Sequence, residues 1–542
     1  MKSFKHYLLI FAISALPFIT IFATPLMIHT HDGPMHIARI PAYFKALTGG
    51  QILPRWAGGL NYGYGMPLFN FYYHVPYLFG SGLVALGLNL AWSFKIMLLI
   101  SFLLSGTFMY LFAYAFFKDR NKALVATFLY QFAPFHLVDM VVRGDIGESL
   151  AMTFLPLVLY FLVKVFEGID VRRYSIATGI ATALLILSHS AIGLIYFAVA
   201  VLFVLLFAPN NTKRLAGFSG LGVGLLLTAF FWIPVAFERK YTYGDFFMKD
   251  MYKTHLAPIW NFFIPNLTNT AALQNGGVDV SFGLMQTVTL LLSIWLLIKN
   301  KLKKDTRLIV WFALILTACA LFVMIAPSTF LWEHISILRA FQFPWRFLNI
   351  TVFSLAILGG TVLIHKSTSK ILIVSIIVVT VLSSLVYFRP PLGFDKIDEN
   401  YYWNYPLDST FFGETNLVWS AGPAGSFPKA PVELIAGKGK ILDVIKKETV
   451  HTYTVIAESE VQILDNTQYY PGWRVYSDTT KIPIEFQDQN HRGNITFHLT
   501  PGTHHVTVSF GETPLRTAAD ITTVSTLIII AFSFLWPQKK KR

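Results

Sequence analysis

Long apolar stretches alternate with short polar segments along most of the chain. The first two clear stretches cover residues 7–28 and 94–117, and each is long enough to cross the hydrocarbon core of a bilayer. The first stretch is longer than the apolar core of a signal peptide and runs directly into a polar loop. We therefore predict that it is a retained membrane span.

An intermediate apolar segment, residues 75–91, contains a proline and three glycines and lies at the lower limit of length for a span. Lysine and arginine concentrate in the cytoplasmic loops of membrane proteins, so the basic run 118–122 is expected inside the cell. That expectation holds only if segment 75–91 does not cross. We therefore predict that it lies in the membrane interface, within a first external loop of residues 29–93.

The same count of basic residues orders the rest of the chain into about twelve spans, with both termini in the cytoplasm. The basic ends include residues 172–173, 213–214 and 299–307, His365 with Lys366, and the tail 539–542. The other predicted spans cover residues 123–142, 149–166, two helices around 188–190, 215–237, and five further segments ending with 518–536. A long aromatic loop, residues 238–282, is predicted outside and is suited to a substrate lid.

Between residues 390 and 517 the pattern changes to short stretches that alternate apolar and polar residues, broken by Pro-Gly turns. A period of two with turn residues between the stretches is typical of β-strands. The sequence thus predicts three parts. These are a helical membrane domain over residues 1–389, an extracytoplasmic β-sandwich over 390–517, and a final helix with a basic tail over 518–542.

Composition supports a membrane protein. The charged fraction of 13% and the mean hydropathy of +0.55 lie outside the range of soluble globular proteins, in which about a quarter of residues are charged. The net charge of +14 comes from short basic runs between apolar stretches, so the lipid bilayer and not nucleic acid is the expected partner. The single cysteine, Cys319, excludes an intrachain disulfide and a cysteine metal site.

The polar loop after the first span concentrates the residue types of an acid–base site. It carries His31, Asp32, His36, Arg39 and Arg55, an acid with two histidines and two arginines at the membrane surface. A carboxylate or an imidazole can transfer a proton, and arginines can bind an anionic ligand. The alternative is structural: Asp32 caps a helix that begins beside it, His36 packs, and Arg39 extends to the lipid headgroups.

A second acidic loop is predicted on the same side of the membrane, between the third and fourth spans. Asp145 and Glu148 lie three residues apart, beside Arg143, and can share a divalent cation such as magnesium or manganese through hard oxygen ligands. The alternative is a connection between helices in which the Glu148 charge favours the N-terminus of the next helix.

Two isolated residues are further candidates. His189, between two serines at a hairpin tip, is either an interfacial histidine or a substrate contact, and Arg346 either anchors an aromatic belt or binds a lipid phosphate. The predicted mid-span positions are nearly free of ionisable residues, which ion-coupled transporters need near the bilayer centre. This pattern favours an enzyme that acts at the outer membrane surface over a proton-coupled pump.

These motifs together resemble a known superfamily. A first-loop acid after span 1, an interfacial segment, and a second acidic loop are similar to the GT-C superfamily of polyprenyl-phosphate-sugar glycosyltransferases. A closer resemblance is to bacterial membrane proteins related to 6-pyruvoyl-tetrahydropterin synthase and to YfhO-type membrane proteins. It is carried by the motifs Asp32-Gly33-Pro34-Met35-His36, Pro54-Arg55-Trp56, Gly63-Tyr64-Gly65-Met66-Pro67, Phe71-Tyr72-Tyr73, Arg143-Gly144-Asp145, Phe343-Pro344-Trp345-Arg346 and Pro471-Gly472-Trp473.

The resemblance implies a GT-C-like helical bundle in a prokaryotic plasma membrane. Its activity would be transfer of a sugar, with inversion, from a polyprenyl-phosphate donor to an extracytoplasmic glycan, lipid or protein. Asp32 would be the base, and a divalent cation would bind at Asp145 and Glu148, although a strict Asp-x-Asp is lacking. The expected site comprises Asp32 and His36 as catalytic residues and His31, Arg39, Arg55, Arg143, His189 and Arg346 as substrate-binding residues. A pterin synthase site is not expected, because no histidine cluster for zinc is present.

One alternative to an enzyme follows from the same features. Because the metal motif is incomplete and the predicted external domain is large, the chain is also compatible with a non-catalytic membrane protein. Such a protein would bind, scaffold or translocate lipid-linked glycans.

Overall fold

A computed structural model describes residues 2–268, 278–364 and 370–535. The predicted basic tail 539–542 and the basic pair His365 and Lys366 lie outside these ranges, as does part of the predicted lid loop. The helices of the first half are α1 (Lys2–Ser14), α2 (Phe18–Phe22), α3 (Gly33–Thr48), α4 (Leu68–Phe71), α5 (Val75–Ala85), α6 (Leu90–Phe117), α7 (Arg120–Gln131), α8 (Pro134–Val138), α9 (Ile146–Glu167), α10 (Val171–Ser188), α11 (Ser190–Phe207), α12 (Asn211–Leu227), α13 (Ala229–Glu238) and α14 (Gly244–Met248).

The second half continues with fewer helices and ends with one more. They are α15 (Leu284–Ile298), α16 (Lys304–Val323), α17 (Thr329–His334), α18 (Ser336–Arg339), α19 (Leu348–Thr361), α20 (Lys370–Ser383), α21 (Glu399–Trp403) and α22 (Pro514–Leu535). A π-helical turn, Asp139–Arg143, follows α8 directly.

Within the described ranges, five helices are long and apolar enough to cross a membrane: α6, α9, α11, α16 and α22. The number rises to seven if two bent pairs each form one span. α7 turns by 48° into the segment Pro134–Arg143, and α12 turns by 69° into the segment that contains α13. The described part of the chain is therefore mostly helical with several candidate spans, as predicted, whereas the predicted count of twelve is not confirmed.

Three helices, α3, α4 and α5, lie in the predicted first external loop of residues 29–93. α3 follows Asp32 and has Pro34 in its first turn, where a missing N–H breaks no helical hydrogen bond. α5 has 11 residues, a length of about 16 Å, and is therefore too short to cross a hydrocarbon core of about 30 Å by itself. It packs against α3 and α6.

Most of the strands form the predicted C-terminal β region. The strands are β1 (Met27–Ile28), β2 (Phe394–Asp395), β3 (Val432–Ala436), β4 (Gly439–Lys446), β5 (Val450–Ala457), β6 (Val461–Gln468), β7 (Trp473–Ser477), β8 (Thr480–Ile482), β9 (Asn494–Leu499) and β10 (Gly502–Phe510). One antiparallel sheet has the order β4-β5-β10-β7-β8, and a second has the order β3-β6-β9. Alternate residues of β5 are buried, as a period of two predicts, and apolar side chains from both sheets form one core.

The β region contacts the first loop at several points. β1, which precedes α3, pairs with β2 in an antiparallel ladder that matches Met27 with Asp395. The Gln468 N–H donates to the Tyr64 carbonyl at 2.8 Å. These contacts place the polar loop of residues 29–93 between the helices and the β region.

Candidate active site

The two acidic loops predicted from the sequence meet through their main chains. The His31 N–H donates to the Val142 carbonyl at 3.0 Å, and the Asp32 N–H donates to the Arg143 carbonyl at 2.7 Å. Gly144 has a φ of +69°, and a Cβ there would lie 2.2 Å from Thr30 Oγ1. Glycine at this position therefore permits both the left-handed conformation and the close approach of the loops.

Asp32 stands at the start of α3, yet its carboxylate is not used as a cap. Among the described residues, no backbone N–H of α3 donates to this side chain. Asp32 Oδ2 accepts instead a hydrogen bond from Arg143 Nη2 at 3.2 Å, and the side chain is 17% exposed. The capping alternative therefore does not describe this carboxylate, which faces Arg143.

Arg143 lies at the centre of four carboxylates. The π-helical turn brings Asp139 to it, and Nη1 donates to Asp139 Oδ1 at 2.6 Å and to Glu148 Oε2 at 2.5 Å. Nη2 donates to Asp145 Oδ2 and to Asp32 Oδ2, each at 3.2 Å. The guanidinium is 4% exposed, and Asp139 and Glu148 are fully buried behind it.

Asp145 and Glu148 are held in place from the other side by α9 and α19. Asp145 caps α9, because its Oδ1 accepts the N–H groups of Gly147 and Glu148 at 2.9 Å each. Glu148 Oε1 accepts a hydrogen bond from Asn349 Nδ2 at 2.5 Å. Both carboxylates are thus held in place by hydrogen bonds from neighbouring backbone and side-chain groups.

Two histidines flank Asp145. His36 Nε2 lies 3.6 Å from Asp145 Oδ1, and His189 Nε2 lies 3.6 Å from Asp145 Oδ2. Burial lowers the pKa of His36 to about 3 and that of His189 to about 4, and burial also lowers the pKa of His31. At neutral pH these imidazoles therefore offer hydrogen bonds to a ligand and no positive charge.

Two further arginines supply positive charge, and they differ in how fully they are bonded. Arg39 is buried, donates from Nη1 to Tyr77 Oη at 3.2 Å and from Nε to the Ser409 carbonyl at 3.1 Å, and stacks over Tyr72. The structural alternative had Arg39 extend to the lipid headgroups, and the structure places it in these buried contacts instead. Arg346 donates from Nη1 to Gln342 Oε1 at 2.7 Å, but its buried Nε has no hydrogen-bond partner among the described residues.

These side chains line a cavity of about 500 Å³. Of the predicted site residues, the structure brings eight to its wall: His31, Asp32, His36, Arg39, Arg143, Asp145, His189 and Arg346. The rest of the wall includes apolar side chains contributed by α3, α13, the lid segment and the segment before the β region: Met35, Val235, Met248, Met251, Phe411 and Phe412. The cavity therefore has cationic, acidic and apolar surfaces together.

Two predicted site residues lie elsewhere. Arg55 is buried at the junction with the β region, where it donates to Glu512 at 2.9 Å and to Asp520 at 2.7 Å. These carboxylates balance its charge away from the cavity, so the structure does not bring Arg55 together with the other predicted substrate-binding residues. Glu148 is fully buried behind Arg143 and is not among the described residues that line the cavity.

Sequence reasoning missed several residues that shape the site. Asn349 holds Glu148 from behind through its side-chain amide. Tyr73 donates to Asp145 Oδ1 at 3.4 Å, and Tyr72 donates to Glu414 Oε1 at 2.8 Å. The two tyrosines belong to the Phe71-Tyr72-Tyr73 motif, so the sequence did point to them. Nothing in the sequence around Asn349 or Glu414 indicates a role in the site.

The electrostatics separate the two acids that face the cavity. Burial raises the pKa of Asp32 to about 6, although Arg143 opposes the rise. Burial also acts to raise the pKa of Asp145, but His189, Arg143, His36 and the Glu148 N–H together hold it well below its usual range. Asp145 is therefore a fixed charge, and Asp32 is the acid able to gain and lose a proton near neutral pH.

Comparison with known proteins gives one family and several distant likenesses. The family described as "6-pyruvoyl-tetrahydropterin synthase related domain; membrane protein" matches residues 69–390. A protein of Lactococcus lactis subsp. cremoris (strain MG1363), described as uncharacterized, is 26% identical over 256 residues, which are 44% of this chain and 41% of that protein. The chain thus matches less than half the length of this relative.

Two solved structures share a distant likeness. The arabinofuranosyltransferase AftD from Mycobacteria has a TM-score of 0.44 at 13% identity, over 70% of this chain and 26% of that one. The oligosaccharyltransferase of Archaeoglobus fulgidus has a TM-score of 0.45 at 13% identity, over 75% of this chain and 60% of that one. Both solved chains extend well beyond the matched part.

Proposed function

The chain belongs to the membrane-protein family described as 6-pyruvoyl-tetrahydropterin synthase related, and on that premise we propose that its cavity is the active site of an integral membrane glycosyltransferase. The enzyme transfers a sugar from a polyprenyl-phosphate donor to a hydroxyl of an extracytoplasmic acceptor, in the plasma membrane of a prokaryote, with inversion at the anomeric carbon. Both termini are cytoplasmic in this proposal, and the first loop and the β region are external.

One observation carries the proposal: a carboxylate with a raised pKa faces a cavity that four arginines also line, namely Arg39, Arg143, Arg239 and Arg346. A general base works best when its pKa lies near the operating pH, and Asp32, with a pKa of about 6, meets that condition. Its carboxylate is not consumed by the α3 cap and is the most exposed of the four that surround Arg143. This is the arrangement expected of a group that must reach a substrate.

The proposed step balances with this base alone. The acceptor oxygen attacks the anomeric carbon while its proton passes to the Asp32 carboxylate. The bond between the anomeric carbon and the phosphate oxygen breaks, and the polyprenyl phosphate leaves with the electron pair. Because attack occurs on the face opposite the leaving group, the configuration inverts.

The leaving phosphate needs a cation, and Arg346 is the best placed. Arg39 donates to protein acceptors through Nε and Nη1, and Arg143 does so through both terminal nitrogens. Arg346 lines the cavity, and its hydrogen bonds to the described residues all come from Nη1, which leaves Nη2 for a phosphate. A charge-assisted N–H bond to phosphate is stronger than a neutral one. The apolar wall that includes Met248 and Met251 suits the first part of an isoprenoid chain.

The experiment replaces Asp32 with asparagine, which keeps the shape and removes the base. A strain that lacks the chain is complemented with the wild type, Asp32→Asn or Asp119→Asn, and its surface glycans are profiled. Asp119 is a matched control because it also stands at a helix start, capping α7 through the N–H groups of Asn121 and Lys122. We expect Asp32→Asn to lower transfer by about 10²- to 10⁴-fold, the usual contribution of a general base, and Asp119→Asn to restore the wild-type profile.

The same strains separate catalysis from scaffolding or translocation. If the deletion removes a surface glycan and Asp32→Asn, present at wild-type level in the membrane, restores it fully, the base assignment is wrong. That outcome would favour the non-catalytic alternative.

A further inference from the structure

The resemblance to GT-C enzymes implies a divalent cation at Asp145 and Glu148, and the residues present can be tested for that fit. One ligand atom from each of Asp145, Glu148 and His189 lies within 4.8 Å of the others, a spacing compatible with one ion. A cation, however, needs lone pairs that are free to bind it. The hydrogen bonds of these three side chains decide whether such lone pairs exist.

Every oxygen of the two carboxylates already accepts a hydrogen bond, and two of the four oxygens accept it from the Arg143 guanidinium, whose positive charge repels a second cation. Glu148 bonds Arg143 through Oε2 and Asn349 through Oε1, while Asp145 bonds Arg143 through Oδ2 and two backbone N–H groups through Oδ1. His189 Nδ1 accepts the Ile192 N–H at 3.2 Å, so the neutral ring carries its proton on Nε2, the nitrogen nearer Asp145. A protonated Nε2 cannot bind a metal, and the residues as arranged do not fit one.

We propose that the Arg143 guanidinium occupies the place of the divalent cation, as a built-in counterion that organises the four carboxylates and positions Asp32. A guanidinium suits this task because it is planar, stays charged at every physiological pH and presents several N–H donors at fixed angles. Its effect on transfer rests on the proposed function, whereas its effect on ion binding does not. Arg143 is thus a positioning residue.

The two terminal nitrogens of Arg143 contact different pairs of carboxylates. Nη1 holds the fully buried pair Asp139 and Glu148, and Nη2 holds the two acids that face the cavity, Asp32 and Asp145. The Trp345 ring lies 4.4 Å from the guanidinium carbon. This ring covers one face of the cation and shields its bonds from water, which strengthens them.

Removal of Arg143 would leave four carboxylates converging on one small space. A group of oxygen ligands around a vacated cation position is the donor set that manganese and magnesium prefer. Loss of the arginine should therefore create a metal site that the wild type lacks. This consequence is specific to a counterion role, because an arginine that only bound substrate would leave no such site behind.

The experiment measures Mn²⁺ binding by electron paramagnetic resonance on the full chain, purified in detergent after treatment with EDTA. Four variants are compared with the wild type: Arg143→Ala, Glu148→Gln, the double variant with both changes, and Arg346→Ala. Arg346 is the matched control because it lines the same cavity, but its nearest carboxylate contact, Glu148 Oε2, is 3.9 Å from Nε.

We expect Arg143→Ala to gain one saturable Mn²⁺ site and to melt several degrees higher with Mn²⁺ than without it. The double variant should lose that site. The wild type, Glu148→Gln and Arg346→Ala should show no saturable site, and transfer by the wild type should be unchanged by EDTA.

The measurement of Mn²⁺ binding by the wild type tests the proposal even if Arg143→Ala does not fold. Saturable Mn²⁺ binding by the wild type that disappears in Glu148→Gln would overturn the proposal, as would an Arg143→Ala variant that folds and gains no site. Because ion binding requires no turnover, absence of glycosyl transfer would refute the proposed function and leave this inference standing.

Discussion

Two clusters of buried arginines and carboxylates hold this molecule together, and they serve different ends. One surrounds Arg143 between α3, α9 and the π-helical turn. The other joins the first loop, α13, the β region and α22: Arg55 bonds Glu512 and Asp520, and Arg516 bonds both oxygens of Glu238 at 3.0 Å. In both clusters the guanidinium is at most 4% exposed.

The difference lies in what each cluster leaves free. Around Arg516 the partners come from sequence positions hundreds of residues apart, and Tyr470 Oη and Asn70 Nδ2 also donate to Glu238. That cluster joins separate parts of the chain. Around Arg143, by contrast, two of the four acids face a cavity of about 500 Å³, and one of these two, Asp32, has a raised pKa. The comparison indicates that a buried cluster of charges is a candidate active site when one of its acids faces a cavity and can still exchange a proton.

The largest effect that this comparison predicts concerns stability. Arg516→Gln leaves Glu238 buried without its cation, and we expect the free energy of unfolding to fall by about 3–5 kcal/mol. Transfer per folded molecule should stay near the wild-type rate, since Arg516 is not among the described residues of the cavity wall. Denaturant unfolding in detergent measures the first quantity and an activity assay the second.

Arg474→Gln is the matched control for that measurement. Arg474 is exposed and donates to the Glu512 carbonyl at 2.9 Å, so its loss should change stability by less than about 0.5 kcal/mol. If Arg516→Gln instead abolished turnover at unchanged stability, the division between a joining cluster and a reacting cluster would be wrong.

The second effect is a pH dependence that belongs to one cluster only. In the proposed step Asp32 is the base in its carboxylate form, and its pKa is raised to about 6, mainly by burial. The rate of transfer should therefore reach its maximum above about pH 7 and fall about tenfold per pH unit below about pH 6. Values of kcat/KM for transfer between pH 4.5 and 8 measure the inflection, because kcat/KM reports the pKa of the free enzyme.

The residual activity of Asp32→Asn supplies the control for the pH profile. It should lose the inflection near pH 6 altogether. An inflection near pH 4 in the wild type would indicate an ordinary, solvated carboxylate and would contradict the assignment of Asp32 as the base.

The smallest effect sharpens the role of the least bonded arginine. Arg346→Lys keeps the charge but loses the planar fork that matches a phosphate. We expect the KM for the lipid donor to rise about tenfold, with a smaller change in kcat. Steady-state kinetics with the donor varied at a fixed acceptor concentration measure both constants.

Arg339→Lys is the control for the donor contact. Arg339 lies in α18, a few residues upstream, and donates from Nε to the Trp332 carbonyl at 2.9 Å. Its replacement should leave the donor KM unchanged. Equal rises in KM for both variants would indicate a general disturbance of this segment and would remove Arg346 from the phosphate contact.

The fold follows from the sequence where the signal is local. Apolar length predicted several helices, and alternation with Pro-Gly turns predicted the C-terminal β region. The bends were not predicted, because the hydropathy of a segment does not report a change in the direction of its helix axis. Residues 215–237 read as one apolar run, yet the helix turns by 69° between α12 and α13 at Thr228, and α8 begins afresh at Pro134.

The candidate site, like the fold, was predictable from the sequence only where the signal is local. The start of α3 beside Asp32 and the cap at Asp145 follow from nearest-neighbour rules, and so does the crowding of ionisable residues on one loop. Arg39 and Arg55 had equal standing in the sequence. Their fates differ because the partners of Arg55 lie more than 450 positions away, at Glu512 and Asp520, where no local pattern points.

The backbone ladder between the two loops has a consequence for how such a protein can diversify. Because His31 and Asp32 are hydrogen-bonded through their main chains to Val142 and Arg143, the spacing of base and counterion is set by peptide groups and tolerates many side-chain exchanges nearby. Under the proposed function, substitutions in the apolar wall, such as those at Met248 or Met251, are therefore expected to leave the spacing of Asp32 and Arg143 unchanged.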